Sequence, residues 1–453
     1  MSIDRRRLLI SLAAGGAAAR VLPFVTPAAE GQALRAAPAV LRRSDGSVDW
    51  SAVRAEFDGL APDWVHLSSF LFVSHPRALR AEIERFRAKL DSDPYWIEYA
   101  MFDPSQGQPY EQAKRALAAY LGSDTDEIAF TSNTTSALAV FYHGLRIRPD
   151  QEIVLTAHDH PVHHASARYS TARSGAAMRY VPLFEKPEAA SADEIVRRIE
   201  RAIGPKTRVM GVTWVQSSTG IRLPIPAIAE AVARANRGRS EGDRCLLLVD
   251  GVHGFGNQDV DAASLGADFF AAGLHKWFLG PRGTGFLWGK KELWKELRPL
   301  VPSFDPDAVD LYELEATNQP IGPTKAAWMS PGGFLAYEHF LALSAAAGFH
   351  SAIGRDRIAG RIAELNGALR DGLAKIAGLT LHTPRVADLA AGINCFEVAG
   401  HAVGDVVRRL AERKIRATAS PYAVSYARLC AGIMNSHDDV EAAVRAVREI
   451  AAG

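Results

Sequence analysis

Between residues 127 and 288 two spacings of apolar positions alternate along the chain. Short apolar runs predict strands at 127–131, 152–155, 178–182, 208–214, 245–249, 269–272 and 285–288. Between several of them apolar residues recur at helical spacing, over 136–145, 192–203 and 225–236. Runs such as CLLLVD (245–250) have no polar face. A strand of that kind is covered on both sides, as in a parallel sheet between helix layers. Upstream, LRAEIERFRAKL (79–90) and 109–121 predict helices, and 30–60 reads as a linker and entry segment. Downstream, a long helical region (334–375) precedes short strands mixed with helices. The expected fold class is α/β. A mainly parallel sheet between helix layers occupies 76–335, with a helix and a smaller α+β domain over 336–453.

The bulk numbers change this picture little. A chain of 453 residues, 48% hydrophobic and 23% charged, fits a globular protein of two or three domains. A net charge of +1 gives no electrostatic footprint for nucleic acid or an anionic membrane. The three cysteines, at 245, 395 and 430, form no CxxC pair and no disulfide scaffold. The N-terminus adds more. In MSIDRRRLLISLAAGGAAARVLPFVTPAAEGQA, Arg5, Arg6 and Arg7 precede an Ala-rich apolar stretch that ends in small residues. Residues 1–29 are expected to be a twin-arginine export signal, which implies the twin-arginine machinery and a periplasmic location. A disordered basic tail is the alternative. Arg20 interrupts the stretch, so no membrane insertion is expected where roughly 20 apolar residues are needed. Residues 30–75 form an N-terminal segment behind the signal.

Candidate chemistry gathers at predicted strand ends. FTSNTTS (130–136) leaves a strand and opens a helix, where hydroxyls and free N–H groups suit a phosphate. In VDGVHGFG (249–256), Asp250 ends an apolar strand, so its carboxylate needs a partner. Lys276, in LHKWFLGPRGTG, is walled in by Leu274, Trp277, Phe278 and Leu279. In a parallel sheet the carboxyl ends of strands share one edge, so these three features converge. A phosphate cradle, a carboxylate for a ring nitrogen and a lysine for a Schiff base are the protein parts that pyridoxal 5′-phosphate (PLP) requires. His158, His160, His163 and His164 form a separate cluster, and with Asp159 they leave a metal-dependent hydrolase open as a rival reading.

With these motifs the chain from about Asp49 onward resembles the class V, fold-type I PLP enzymes. These include cysteine desulfurases, kynureninase-like enzymes and isopenicillin N epimerase-like proteins. The resemblance implies PLP fold type I with Lys276 as the Schiff-base lysine, Asp250 on the pyridine nitrogen and His160 stacked on the ring. It places Thr134, Thr135 and His275 at the phosphate, and His253 and Ser217 near the phenolic oxygen. Ser330, in MSPGG, matches a residue that reaches the phosphate of a neighbouring subunit, which implies a homodimer with shared active sites. Arg428, in YARLCAG, matches the arginine that binds the substrate carboxylate; Arg416 is a second candidate. Ser69, with Ser68, His75, Trp214 and Gln216, is a candidate substrate contact.

Two departures matter. The loop RATASPYAVSYAR lacks the cysteine that sulfur transfer needs, and Leu274 stands where a polar residue is usual. HLSSFLFVSHPRALRAEIERFR and GVTWVQSSTGIRLPI, behind an export signal, are also similar to periplasmic PLP enzymes of siderophore maturation. That similarity implies oxidative decarboxylation or deamination of an amino-acid group on a siderophore or peptide precursor. Racemisation of the isopenicillin N epimerase kind and transamination stay open. So does a catalytically silent binding protein on the same fold.

Overall fold

The seven apolar runs fold as the strands of one sheet. In chain order, β1 (Val65–His66) precedes them. They follow as β2 (Ile128–Thr131), β3 (Glu152–Thr156), β4 (Ala177–Val181), β5 (Thr207–Thr213), β6 (Leu246–Asp250), β7 (Phe269–Gly273) and β8 (Gly285–Gly289). The structure is a computed structural model describing residues 41–103, 105, 107–319 and 322–453, so the expected export signal lies outside the described residues. The strand order is β2-β8-β7-β6-β5-β3-β4. Only β8 runs against its neighbours; the pairs from β7 across to β4 are parallel. The sheet is thus mainly parallel, with the carboxyl ends of six strands on one edge.

Period-two alternation sorts the buried side chains into two cores. Phe130, Val154, Met210, Val212, Leu247, Val249, Phe270, Ala272 and Phe286 enter one. Ala129, Ile153, Leu155, Val209, Leu246, Leu248, Phe269, Ala271 and Leu287 enter the other. The second face is covered by the helices Thr134–Gly144 and Pro161–Ser174, through Ala137, Leu138, Phe141 and Ala167. β4 closes one side of the sheet, and its polar, exposed residues blunt that edge.

The long helical region breaks into Tyr337–Leu341, Leu343–Ile353 and Arg355–Leu373. Gly354, at φ +104°, turns the chain between the last two. Beyond it, β9 (Leu379–Leu381), β10 (Asn394–Val398), β12 (Thr418–Ala419) and β13 (Ala427–Leu429) form an antiparallel sheet in the order β12-β13-β10-β9. The helices Val403–Glu412 and His437–Ala452 share its core. The remaining strand, β11 (Ile415–Arg416), pairs in parallel with β1, which ties the N-terminal segment to this C-terminal α+β region.

Candidate active site

The carboxyl edge of the large sheet opens into a cavity. Its lining includes Thr134 and Thr135 after β2, His160 after β3, Thr213 at the end of β5 and Ser217 after it, Asp250 at the end of β6 with Val252 and His253 after it, and His275 and Lys276 after β7. Each residue is there for a local reason. Asn133 caps the helix Thr134–Gly144, its side chain accepting from the Ser136 N–H at 2.9 Å. The N–H groups of Thr134 and Thr135, earlier in that turn, precede any intrahelical acceptor. The Thr134 hydroxyl accepts from the Gly273 N–H at 2.8 Å, which joins the turn to the end of β7. A Cβ on Gly273 would lie 2.9 Å from His275 Cε1 and 3.2 Å from the Thr134 hydroxyl, so glycine lets these parts close up without displacing either side chain. His160 is the N-cap of Pro161–Ser174, with Nδ1 accepting from the Val162 N–H at 3.2 Å.

Leu274 has a plain cause. It lies two residues beyond Ala272, so the pleat sends it into the same hydrophobic core, fully buried. It does not line the cavity. The chain then turns sharply. The Leu279 N–H donates to the Lys276 carbonyl (2.9 Å), that of Gly280 to the Leu274 carbonyl (2.7 Å), and Leu279 sits at φ +58°. A buried leucine in the left-handed region is strained, and the strain lies beside the candidate reactive lysine.

Burial dominates the electrostatics. It lowers the Lys276 ammonium from 10.5 to about 8; Asp250 opposes this and the Arg428 charge adds to it. Burial lifts Asp250 from 3.8 to about 7, although its Oδ1 accepts from the Val252 N–H at 3.2 Å. His160 falls to about 4 by the same cause, and His253 is pushed well below the ordinary imidazole range. Both rings are therefore neutral near pH 7. His253 Nε2 stands 3.3 Å from Lys276 Nζ, and its buried Nδ1 has no partner.

The other expected residues are placed differently. Arg428 is buried beside Ser217 at the cavity wall, over the Phe70 ring at 4.4 Å. It donates to the Ser217 carbonyl (2.9 Å), the Thr418 hydroxyl (3.1 Å) and the Ala419 carbonyl (3.1 Å). Arg416 is not brought to the site. It is exposed on β11, stacked over Trp64 at 3.4 Å, because β1–β11 pairing aims it away. Ser69 is buried against Met434, to whose sulfur its hydroxyl donates at 3.4 Å. Ser330 borders a second cavity, with Tyr110, Asp305 and Phe340, and its hydroxyl accepts from the Phe130 N–H at 3.0 Å.

The histidine cluster is dispersed. His158 stacks on Phe184, His163 Nε2 meets the Tyr142 hydroxyl at 2.8 Å, and His164 Nε2 meets the Thr156 carbonyl at 2.8 Å. Asp159 accepts from the N–H groups of Thr156 (2.7 Å) and Thr213 (2.8 Å), tying β3 to β5. Among the described residues no group of three His, Cys, Asp or Glu is placed to hold a metal. All three cysteines are buried, and burial raises their thiols, Cys245 and Cys395 to about 12.

One residue beside the cavity was not anticipated. Tyr422, in the loop between β12 and β13, meets the Ser217 hydroxyl at 2.6 Å and stands edge-on to His160 at 6.0 Å. Its only sequence signal is an aromatic residue in the loop where a cysteine was sought.

The parts fit PLP. An unpartnered helix N-terminus suits a phosphate, a buried carboxylate suits a ring nitrogen, and an amine poised near neutrality suits an aldehyde. The orphaned, buried Thr213 hydroxyl and His253 Nδ1 are further polar atoms at this cavity without a partner in the protein.

Comparison with known proteins agrees. The family model for aminotransferase class-V matches residues 100–447. Isopenicillin N epimerase of Streptomyces clavuligerus is 29% identical over 359 residues, 77% of this chain and 84% of that protein. A probable cysteine desulfurase of Halalkalibacterium halodurans is 28% identical over 302 residues, 66% of this chain and 70% of that one. Among solved structures, the cystine C–S lyase C-DES in complex with cysteine persulfide superposes with a TM-score of 0.75 at 22% identity, over 87% of this chain and 99% of that one. The cysteine desulfurase CsdA of Escherichia coli gives 0.72 at 21%, over 88% and 98%. The chain belongs to the class-V aminotransferase family, and is a PLP-dependent enzyme with the type I fold of that cofactor class.

Proposed function

We propose that the protein breaks a bond at the α-carbon of a free or peptide-borne amino acid, by oxidative decarboxylation or deamination on a siderophore or peptide precursor, with dioxygen as the oxidant that takes up the electrons. The observation that carries this reading is the single cavity holding Lys276, Asp250 and His160 beside a loop without cysteine. Bound PLP supplies an electron sink for the pair left at the α-carbon. The protein's own groups do the rest. Asp250, held at the end of β6, stabilises positive charge on the ring nitrogen. Lys276, whose ammonium burial lowers to about 8, holds a neutral fraction at moderate pH and carries protons to and from the reacting carbon. His253, 3.3 Å from that amine, exchanges its proton. Thr134 and Thr135 hold the phosphate end, and His160 covers the ring face. Arg428 fixes the substrate carboxylate with N–H donors not engaged by the protein. In a homodimer Ser330 approaches the phosphate of the other subunit. The arginine-rich segment at 1–29 directs export of the folded, loaded enzyme to the periplasm.

Racemisation is the second reading. It is favoured by the paired nitrogens of His253 and Lys276 and by the similarity to isopenicillin N epimerase. A mass-spectrometric product assay with amino acids and siderophore precursors, in air and without oxygen, separates them. Loss of CO₂ or ammonia only in air supports the oxidative reading. Oxygen-independent inversion with no mass change overturns it in favour of the second.

A further inference from the structure

Arg428 and Tyr422 reach the cavity wall from the same small sheet and meet at one residue. The guanidinium takes the Ser217 carbonyl at 2.9 Å, and the Tyr422 hydroxyl takes the Ser217 side chain at 2.6 Å. Ser217 lines the cavity, as does His160, against which the Tyr422 ring stands edge-on. The loop that carries Tyr422 closes on itself. The Ser420 N–H donates to the Tyr426 carbonyl (2.9 Å), and the Tyr426 N–H to the Ser420 hydroxyl (2.9 Å). Val424, at the tip, is exposed, whereas Tyr422 is half-buried and turned back to the wall.

Three of the N–H donors of Arg428 are engaged by the protein. Two N–H donors remain, one on each terminal nitrogen, and an anion held there is fixed more firmly by a further donor close by. The phenol is that donor. Burial raises it to about 12, so it keeps its proton throughout any ordinary pH range. Its present partner is a neutral hydroxyl, and a carboxylate is the stronger acceptor.

We propose that Tyr422 is a second carboxylate-positioning residue: its hydroxyl leaves Ser217 and donates to the α-carboxylate of the substrate, beside Arg428. The proposal rests on the amino-acid reading above. It adds a specificity consequence, since Tyr422 then selects α-amino acids with a free carboxylate over their amides.

The test uses the reconstituted holoenzyme. Proteinogenic amino acids are screened by the change in cofactor absorbance. The strongest binder and its α-amide are then titrated into the wild type and Tyr422→Phe, a variant that keeps the ring. The wild type is expected to prefer the acid. Tyr422→Phe is expected to lose roughly 10-fold or more of that preference, the size of one charge-assisted hydrogen bond, with affinity for the amide nearly unchanged. An unchanged preference overturns the proposal. So does an equal loss for acid and amide, which marks a purely structural residue. If no amino acid, free or carried on a peptide or siderophore precursor tested in the same way, perturbs the wild-type cofactor, the amino-acid reading itself fails and the proposal falls with it.

Discussion

Replacing Asp250 by asparagine separates two roles that the wild type combines. In the cofactor-free enzyme Asp250 is the group that raises the Lys276 amine, against the larger lowering by burial. With the amine at about 8, roughly a tenth of it is neutral at pH 7. At its ordinary 10.5 the neutral fraction would be roughly 300-fold smaller. Capture of the PLP aldehyde needs the neutral amine. Its rate in the wild type should therefore climb about tenfold per pH unit and level off near pH 8. Asp250→Asn removes the supporting negative charge, so the plateau begins at lower pH and capture at pH 7 is as fast or faster. Turnover goes the other way. Loss of a buried charge beside the ring nitrogen should lower kcat by about 10²–10³, the scale of one preorganised electrostatic contact. Stability supplies a third readout. Burial raises the folded carboxyl from 3.8 to about 7, so it disfavours the folded apoenzyme increasingly as pH rises between these values. The full cost, about 4 kcal/mol at most, is present above pH 7 and absent near pH 4. The asparagine apoenzyme should thus melt higher than wild type at pH 8, with the gain vanishing toward pH 4. Stopped-flow absorbance, steady-state assays and thermal melts read the three quantities. A capture rate still rising past pH 10 in the wild type, or full turnover in Asp250→Asn, contradicts these roles of Lys276 and Asp250.

Two further substitutions test the framework. Lys114 is buried with Nζ 3.2 Å from the buried Asp305 carboxylate, so Lys114→Met strands that charge at about 3–5 kcal/mol. Its melting temperature should fall by on the order of 10 °C, and Lys114→Met/Asp305→Asn should recover most of the loss; no recovery contradicts the ion-pair account. A Cβ on Gly285 would lie 2.8 Å from the Asn133 Cα, a backbone contact that cannot yield cheaply. Gly285→Ala should shift the phosphate turn and weaken PLP binding by roughly 10-fold in a fluorescence titration, at about 1–3 kcal/mol of overpacking. Gly360→Ala, with nothing within 4 Å, is the neutral control.

The sheet was legible because most of its strands are contiguous apolar runs bounded by turn residues, the edge strand β4 being the exception. All seven predicted runs, from 127–131 to 285–288, became strands of the one sheet, with ends shifted by a residue or so. The helix Pro161–Ser174 escaped, since PVHHASARYSTARS has no apolar stripe to betray it. Its signals are local: a proline in the first turn and Gly175 in the left-handed region after the last. Lys276, Asp250, His160 and the threonine turn were readable because chain order along a parallel sheet fixes which loops meet. The surroundings of Arg428 were not readable. Its bonds to Ser217, Thr418 and Ala419 depend on how the small sheet docks, and no local pattern encodes that. Tyr422 was missed for the same reason. Arg416 was misjudged because parallel pairing of two-residue strands 350 positions apart decides where its side chain goes.

On the proposed reading Lys276 is the residue to which the cofactor binds covalently. The direct measurement is borohydride reduction of the PLP-loaded enzyme, followed by proteolysis and peptide mass mapping. The phosphopyridoxyl mass is expected on the peptide containing Lys276, with no cofactor label on the Lys276→Ala variant. A label on a different lysine of the wild type, or none at all, contradicts it.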